Sequence, residues 1–147
     1  MKKLGNIIEK FNRDNMKYRK NRPLAYNIYK YLKANAVGYE NRVKSSELMR
    51  EFNINTNETL RTYIQEIRLS DTMQKIICSE PTCDGGYWIA TNEEEVYKTL
   101  QHLYNRAMKM LKTYSTIKRK YRLNNQTRIK LNKYEKEIYE SIMEEHK

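Results

Sequence analysis

The sequence feature that most constrains the fold is a regular apolar stripe in the second half of the chain. Its members follow one another by alternating steps of four and three residues: Val96, Leu100, Leu103, Ala107, Met110, Tyr114, Ile117 and Tyr121. This heptad spacing keeps one face of an α-helix apolar along its whole length. The pattern therefore predicts one helix over residues 91–122, about 48 Å long, with a Thr91–Glu94 capping box at its start.

The heptad stripe has two interpretations. A long final helix can pack back on the core of its own domain, and a stripe that contains Ala107 and tyrosines suits that arrangement. An uninterrupted helix of this length nevertheless exceeds what one small domain covers. The pattern thus favours a homodimer, and all eight stripe residues are candidates for the dimer contact.

Upstream of the stripe, residues 23–90 begin with a helix and a short strand. Pro23 suits the first turn of a helix over PLAYNIYKYLKANA, which ends before Gly38. Val43 fits a short strand, and Ser45 is the predicted N-cap of the next helix, SSELMREF.

A second helix follows SSELMREF after a short polar turn in which Ile54 is the one apolar residue. Asn55 or Thr56 is the predicted cap of this helix, TNETLRTYIQEIRL, and Glu58 lies three residues after Asn55 as in a capping box. Its predicted buried stripe consists of Leu60, Tyr63, Ile64 and Ile67. Two helices joined by a turn with an apolar anchor predict a helix-turn-helix.

The pattern then changes to extended structure. QKIICS and GYWIA are rich in β-forming residues, and Pro81 with Asp84-Gly85-Gly86 marks a turn between them, so we expect a β-hairpin. Cys78 and Cys83 lie in this region. We expect both to be reduced packing residues, although their spacing would also allow a disulfide bridge across the hairpin.

Charge is strongly segregated along the chain, whose net charge is +11. Residues 1–22 carry eight Lys and Arg against two Asp and Glu, and residues 91–133 carry eleven against three, whereas residues 23–90 are neutral. This distribution of charge favours an anionic partner, most simply nucleic acid.

The basic segment 1–22 is predicted to consist of a short amphipathic helix and a basic arm. Leu4, Ile7, Ile8 and Phe11 lie on one face of the helix, and the arm is KYRKNR.

The order of helix, short strand, helix, turn, helix and hairpin is that of a winged helix-turn-helix domain. The segments KSSELMREFNINTNETLRTYIQEIR and IICSEPTCDGGYWIATNEEE resemble winged-helix DNA-binding proteins of phages and prophages of low-GC Gram-positive bacteria. The resemblance covers about half of the chain, and its most specific parts are the Thr59-Leu60-Arg61 step and the GYWIA strand. It implies that the third helix of the domain recognises DNA and that the hairpin is the wing.

We therefore predict a mainly α chain with a small β-hairpin: a winged helix-turn-helix followed by a long coiled-coil-like helix. The predicted parts are a basic N-terminal helix and arm (1–22), the winged helix-turn-helix domain (23–90), the heptad helix (91–123) and a C-terminal helix or tail (124–147). Thr127 is the predicted cap of the C-terminal helix, and residues 134–147 carry five Glu against two Lys.

Polar residues on the third helix of the domain are candidate contacts to DNA bases: Asn57, Thr59, Arg61, Thr62, Gln65 and Arg68. Arginine reads guanine, asparagine and glutamine read adenine, and threonine contacts phosphate or a thymine methyl group. The alternative is a solvated helix face on which Glu58 and Glu66 pair with the arginines. The position of this helix within a helix-turn-helix favours DNA binding.

Two basic runs interleaved with tyrosine supply candidate phosphate contacts. They are Lys17, Arg19, Lys20 and Arg22 in the arm, and Lys118, Arg119, Lys120 and Arg122 at the end of the heptad helix. Such contacts add affinity without reading sequence, and their alternative role is to keep the surface soluble.

The predicted wing is acidic, which sets it apart from the basic flanks. No Lys or Arg lies between Lys75 and Lys98, whereas Glu80, Asp84 and residues 93–95 are acidic. An acidic wing repels a phosphate backbone. Either DNA is approached by the third helix and the basic flanks, or the domain binds another kind of partner.

The preferred function is double-stranded DNA binding by a homodimer, as a phage or prophage transcriptional regulator or origin-binding protein. One alternative is an interaction module or inhibitor that binds a host protein or nucleoprotein complex. Another is a structural adaptor that acts mainly through its coiled coil. The sequence shows no catalytic motif, metal set or cofactor loop, so we expect no enzyme activity and no cofactor. No apolar run approaches the roughly 20 residues of a membrane span, so we expect a cytoplasmic protein of the bacterial host cell.

Overall fold

The computed structural model describes residues 22–82 and 85–145, which fall into two compact units. The first unit is described over residues 22–82 and 85–107, and the second over residues 108–145. The predicted N-terminal helix, the arm residues Lys17, Arg19 and Lys20, and both Cys83 and Asp84 lie outside the described residues, as does the side chain of Arg22.

The chain is mainly helical with a small three-stranded antiparallel sheet, which confirms the predicted balance of helix and strand. The elements are α1 (Arg22–Asn35), β1 (Val43–Lys44), α2 (Ser45–Glu51), α3 (Asn57–Leu69), β2 (Ile77–Ser79), β3 (Gly86–Ile89), α4 (Glu93–Lys120) and α5 (Asn125–Glu145), with a 3-10 turn at Tyr39–Asn41.

The core of the first unit lies between α1, α2, α3 and the sheet. Its fully buried large side chains come from every one of these helices and from β2: Ile28, Leu32, Leu48, Leu60, Ile64, Ile67, Ile77 and Cys78. The predicted buried stripe of α3 is confirmed, because all four of its members are buried. Cys78 is a free thiol within this core, and burial raises its pKa.

The turn between α2 and α3 is built on a left-handed residue. Asn53 has φ of 53°, a conformation that asparagine tolerates better than most residues. The Ile54 N–H donates to the Met49 carbonyl at 2.8 Å and the Asn53 N–H to the Arg50 carbonyl at 3.4 Å, which is the Schellman pattern. Ile54 is buried, so the apolar anchor predicted for this turn is confirmed.

The N-terminal caps of α2 and α3 differ in kind: α3 has a side-chain cap and α2 has none. Thr56 caps α3, since its hydroxyl accepts the Thr59 N–H at 3.1 Å. The predicted cap role of Ser45 is wrong: α2 begins at Ser45, and Lys44 holds the cap position without a side-chain hydrogen bond. The reason is that β1 pairs with β3 up to Lys44 and runs directly into α2.

The sheet has the order β1-β3-β2, with β3 in the centre. β2 and β3 form the predicted hairpin, with Cys78 opposite Trp88, and the strand expected at Val43 pairs with Tyr87. Gly86 is required where β1 crosses it, because a Cβ atom there would lie 2.3 Å from the Val43 carbonyl oxygen. β1 therefore pairs with the β3 strand of the predicted wing.

A single carboxylate joins three parts of the first unit at the start of α4. Glu95 accepts hydrogen bonds from the Tyr39 N–H at 3.2 Å, the Trp88 indole N–H at 3.1 Å and the Thr91 N–H at 2.9 Å. Burial alone raises the pKa of Glu95, but the hydrogen bonds from Thr91, Tyr39 and Trp88 outweigh burial and hold that pKa below its ordinary value of 4.5. The group is thus kept ionised.

The predicted Thr91–Glu94 capping box is wrong by one residue. The Asn92 side chain accepts the Glu95 N–H at 3.0 Å, and Glu95 reaches back to Thr91. Asn92 is therefore the cap, and Glu95, not Glu94, also accepts the Trp88 indole N–H.

The heptad helix is shorter than the predicted span of residues 91–122. α4 runs from Glu93 to Lys120, so Tyr121 and Arg122 follow its last residue. Asn124 ends the connecting loop and accepts the Thr127 N–H at 2.8 Å, which makes Asn124 the cap of α5. The cap role predicted for Thr127 is therefore wrong.

In the second unit, Glu135 of α5 contacts α4. Its carboxylate accepts the Tyr114 hydroxyl at 2.8 Å and the Lys118 ammonium at 2.9 Å. These two hydrogen bonds lower the pKa of Glu135, and the bond from Lys118 contributes most.

None of the helices within the described residues combines the length and the apolar character that a membrane crossing requires.

We predict that Glu95→Gln lowers the free energy of unfolding at neutral pH by about 1 to 2 kcal/mol, because four donor groups of Tyr39, Trp88 and Thr91 lose a charged acceptor. The folded-state pKa of Glu95 is depressed, so its contribution is present above the unfolded pKa and is lost as the pH falls through the folded pKa. Urea unfolding at pH 7 and at low pH measures both effects. Glu94→Gln is the matched control, since Glu94 forms only an exposed pair with Lys98. Equal losses in the two variants would contradict the assigned role of Glu95.

Candidate nucleic-acid interface

The exposed face of α3 holds three of the six predicted base-contacting residues without competing contacts. Asn57, Arg61 and Gln65 are exposed and follow one another at four-residue intervals. This spacing places them on one face over about 12 Å of helix. Two amide side chains and one guanidinium on one helix face match the donors and acceptors of base edges in the major groove.

Thr59 and Thr62, two of the predicted DNA contacts, already form hydrogen bonds through their hydroxyl groups. The Thr59 hydroxyl lies 2.8 Å from that of Thr56 in the cap, and the Thr62 hydroxyl donates to the Glu58 carbonyl at 3.1 Å. Both hydroxyl oxygens keep acceptor capacity, and their methyl groups are the parts best suited to a thymine methyl.

Arg68, one of the predicted DNA contacts, is engaged within the fold. Its Nε and Nη2 atoms donate to the Ile77 carbonyl at 3.0 and 2.8 Å, and Nη2 also donates to the Ser79 hydroxyl at 3.0 Å. Burial lowers the pKa of the partly buried guanidinium. Arg68 therefore fastens the last turn of α3 to β2, and the rigid fork of its donors suits that role.

The basic run at the end of α4 is partly engaged. Lys118 donates to Glu135, whereas Arg119 and Lys120 are exposed in the last turn and Arg122 is exposed in the following loop. The hydrogen bond with Glu135 raises the pKa of Lys118. Arg119, Lys120 and Arg122 thus remain available for phosphate.

A cluster that the sequence did not indicate lies beside the hairpin. The Tyr39 hydroxyl donates to Glu80 at 3.2 Å, and Arg42 Nε lies 3.8 Å from the same carboxylate. The Arg42 guanidinium lies 4.1 Å from the centre of the Tyr39 ring. The acidic charge of Glu80 is thereby partly balanced by Arg42, which directly follows the 3-10 turn and lies far from Glu80 in sequence.

The first half of α4 contacts the sheet through residues outside the heptad stripe. Thr99 is 4% exposed and its hydroxyl accepts the Ser79 N–H at 3.4 Å, whereas Leu100 and Leu103 are 58% and 40% exposed. The apolar stripe is thus not used to pack this part of α4 on the core.

Comparison of the chain with protein-family models, with curated proteins and with solved structures gives no match.

We predict that Arg68→Ala lowers the free energy of unfolding by about 1.5 to 3 kcal/mol, because the Ile77 carbonyl loses a charged donor. Arg61→Ala, on the same helix but exposed, should change it by less than about 0.5 kcal/mol. Urea unfolding of the two variants and of the wild type measures the difference. A similar small effect of both substitutions would contradict the structural role of Arg68.

Proposed function

We propose that this protein is a winged helix-turn-helix protein that binds double-stranded DNA. The order α1, β1, α2, turn, α3, β2 and β3, with β1 pairing to the hairpin, supports this fold assignment. In such a fold α3 enters the major groove and the preceding helix lies across the backbone.

The observation that carries the proposal is the exposed trio of Asn57, Arg61 and Gln65 on α3. Behind these residues the same helix is fixed by a fully buried stripe, by the Thr56 cap and by Arg68 at its end. A rigid helix loses little freedom when it binds, so polar groups on its outer face are well suited to sequence reading.

Phosphate contacts would come from the basic flanks and not from the hairpin. Arg119, Lys120 and Arg122 are exposed, whereas no Lys or Arg lies between Lys75 and Lys98. The flanks would supply affinity that depends on salt, and α3 would supply specificity.

The heptad stripe would join two copies into a homodimer. Two copies related by a two-fold axis would place two α3 helices on two half-sites of one duplex. The resemblance to phage and prophage proteins then favours a regulator of transcription or an origin-binding protein.

One observation favours a second function, binding to a host protein. The hairpin is acidic, and Glu80 is held in place by Tyr39 and Arg42. Acidic side chains suit a basic protein partner better than a phosphate backbone. The protein would then act as an interaction module or inhibitor.

Selection of the full-length protein against random duplex DNA at physiological salt separates the two functions. The DNA-binding proposal predicts an enriched motif, with two half-sites if the protein is a dimer. A flat profile would reject sequence-specific DNA binding and favour the protein partner.

We predict that Arg61→Ala weakens binding to the selected site by about 1 to 3 kcal/mol and relaxes the sequence preference at one position. Lys120→Ala is the matched control, because loss of a phosphate contact weakens all duplexes alike and flattens the salt dependence. Titrations of selected and scrambled duplexes measure both effects. Equal losses on the two duplexes with Arg61→Ala would exclude base reading by this residue.

We also predict that Leu103→Glu dissociates the dimer, because a charge buried without a partner at the contact costs several kcal/mol. Gln101→Glu places the same group on the same helix outside the stripe and should leave the dimer intact. Sedimentation over a concentration series measures both variants. A wild-type protein that stays monomeric at about tens of micromolar would reject the dimer.

A further inference from the structure

The second unit exposes an unusual amount of apolar surface for a free protein. Large apolar side chains are exposed along both of its helices, among them Met110, Leu111, Ile117, Ile129, Ile138 and Tyr139. Monomeric soluble proteins rarely leave such extensive apolar surface in water. We therefore expect a partner to cover this surface.

The apolar face of α4 in this unit is wider than a heptad stripe. Met110 and Ile117 of the stripe are 67% and 62% exposed, and Met108 and Leu111 are exposed next to them. A two-stranded coiled coil covers only the narrow stripe, whereas a face of this width packs against two neighbouring helices.

The helix α5 of the same chain contacts this region through Glu135, which binds Tyr114 and Lys118. Ile117 remains exposed beside that contact. α5 also has exposed apolar residues of its own, including Ile129 and Ile138. Both helices thus keep apolar surface for helices from another molecule.

The distribution of charge along α4 and α5 indicates which molecule covers the exposed apolar surface. Residues 96–134 contain eleven Lys and Arg and no Asp or Glu, whereas residues 135–145 contain five Glu and one Lys. The pair of Lys118 and Glu135 joins these two segments within one chain. Among the described residues, Lys109 and Lys112 of α4 and Glu137 of α5 form no ion pair.

We propose that a second copy of the chain covers this surface, with the acidic end of α5 from each copy beside the basic part of α4 from the other. The two-fold axis makes each contact occur twice, and four helices bury the apolar faces in a bundle. This inference rests on the dimer in the proposed function and defines its helices and their order.

A second copy satisfies both the charge and the apolar surface of the unit. A nucleic acid would neutralise Lys109 and Lys112 but leave Met110 and Ile117 in water. Two α4 helices packed in parallel would bring their cationic segments together, and the repulsion between them is unfavourable. The α4–α5 pairing between copies avoids this repulsion.

Two charge-reversal variants test the proposal. One carries Lys109→Glu with Lys112→Glu, and the other carries Glu137→Lys with Glu140→Lys. Each variant alone should raise the dimer dissociation constant about tenfold or more, because like charges then meet twice in the homodimer. An equimolar mixture should recover nearly wild-type affinity, since the reversed charges become complementary between the two chains.

Sedimentation of the full-length variants, separately and mixed, gives the result, and circular dichroism verifies that they fold. Lys30→Glu with Lys33→Glu, at the same spacing on α1, is the matched control and should leave the dimer unchanged. A mixture no tighter than its components, or variants that dimerise like the wild type, would overturn the α4–α5 pairing while leaving the heptad dimer in place. A monomeric wild type would overturn both, and the DNA selection tests the DNA-binding function independently.

Discussion

The first unit depends on the ionised carboxylate of Glu95. Its two oxygens collect donors from the turn after α1, from the central strand and from the start of α4, through Tyr39, Trp88 and Thr91. Two backbone hydrogen bonds, from the Gly38 N–H to the Ile89 carbonyl and from the Ile89 N–H to the Ala36 carbonyl, also join the turn after α1 to the central strand. Fixing the start of α4 also fixes Thr99 against β2, and β2 in turn receives the guanidinium of Arg68 at the end of α3. A chain of hydrogen bonds therefore connects α4 to α3 through the sheet.

This arrangement gives α3 two distinct faces. The inner face is part of the core, and its position is further fixed by the Schellman turn at Asn53 and by the Thr56 cap. The outer face carries Arg61 and Gln65, which are exposed, whereas Arg68 is held against β2. Rigid support behind adaptable polar groups is the arrangement that a sequence-reading helix requires. The way in which the helix is held supports the proposed DNA contact.

Local patterns predicted much of the fold, whereas contacts between distant segments escaped prediction. Ile54, the buried stripe of α3 and the hairpin were all foreseen, since each depends on neighbouring residues. The contacts of Arg68 to β2 were not predicted, because its partners become adjacent only after folding and a charged helix residue otherwise indicates an exposed face. The capping residue of α4 was misplaced by one position for the same reason. Thr91–Glu94 fits the local pattern, but Trp88 and Tyr39 select Glu95.

We propose that the exposed face of α3 lies in the major groove of DNA. Ultraviolet cross-linking of the full-length protein to duplexes that contain 5-bromouracil tests it directly, because the bromine occupies the place of the thymine methyl group in that groove. Mass spectrometry then identifies the attached peptide. We expect cross-links within residues 57–65. Cross-links confined to the hairpin or to the basic residues of α4 and α5, with none on α3, would contradict it.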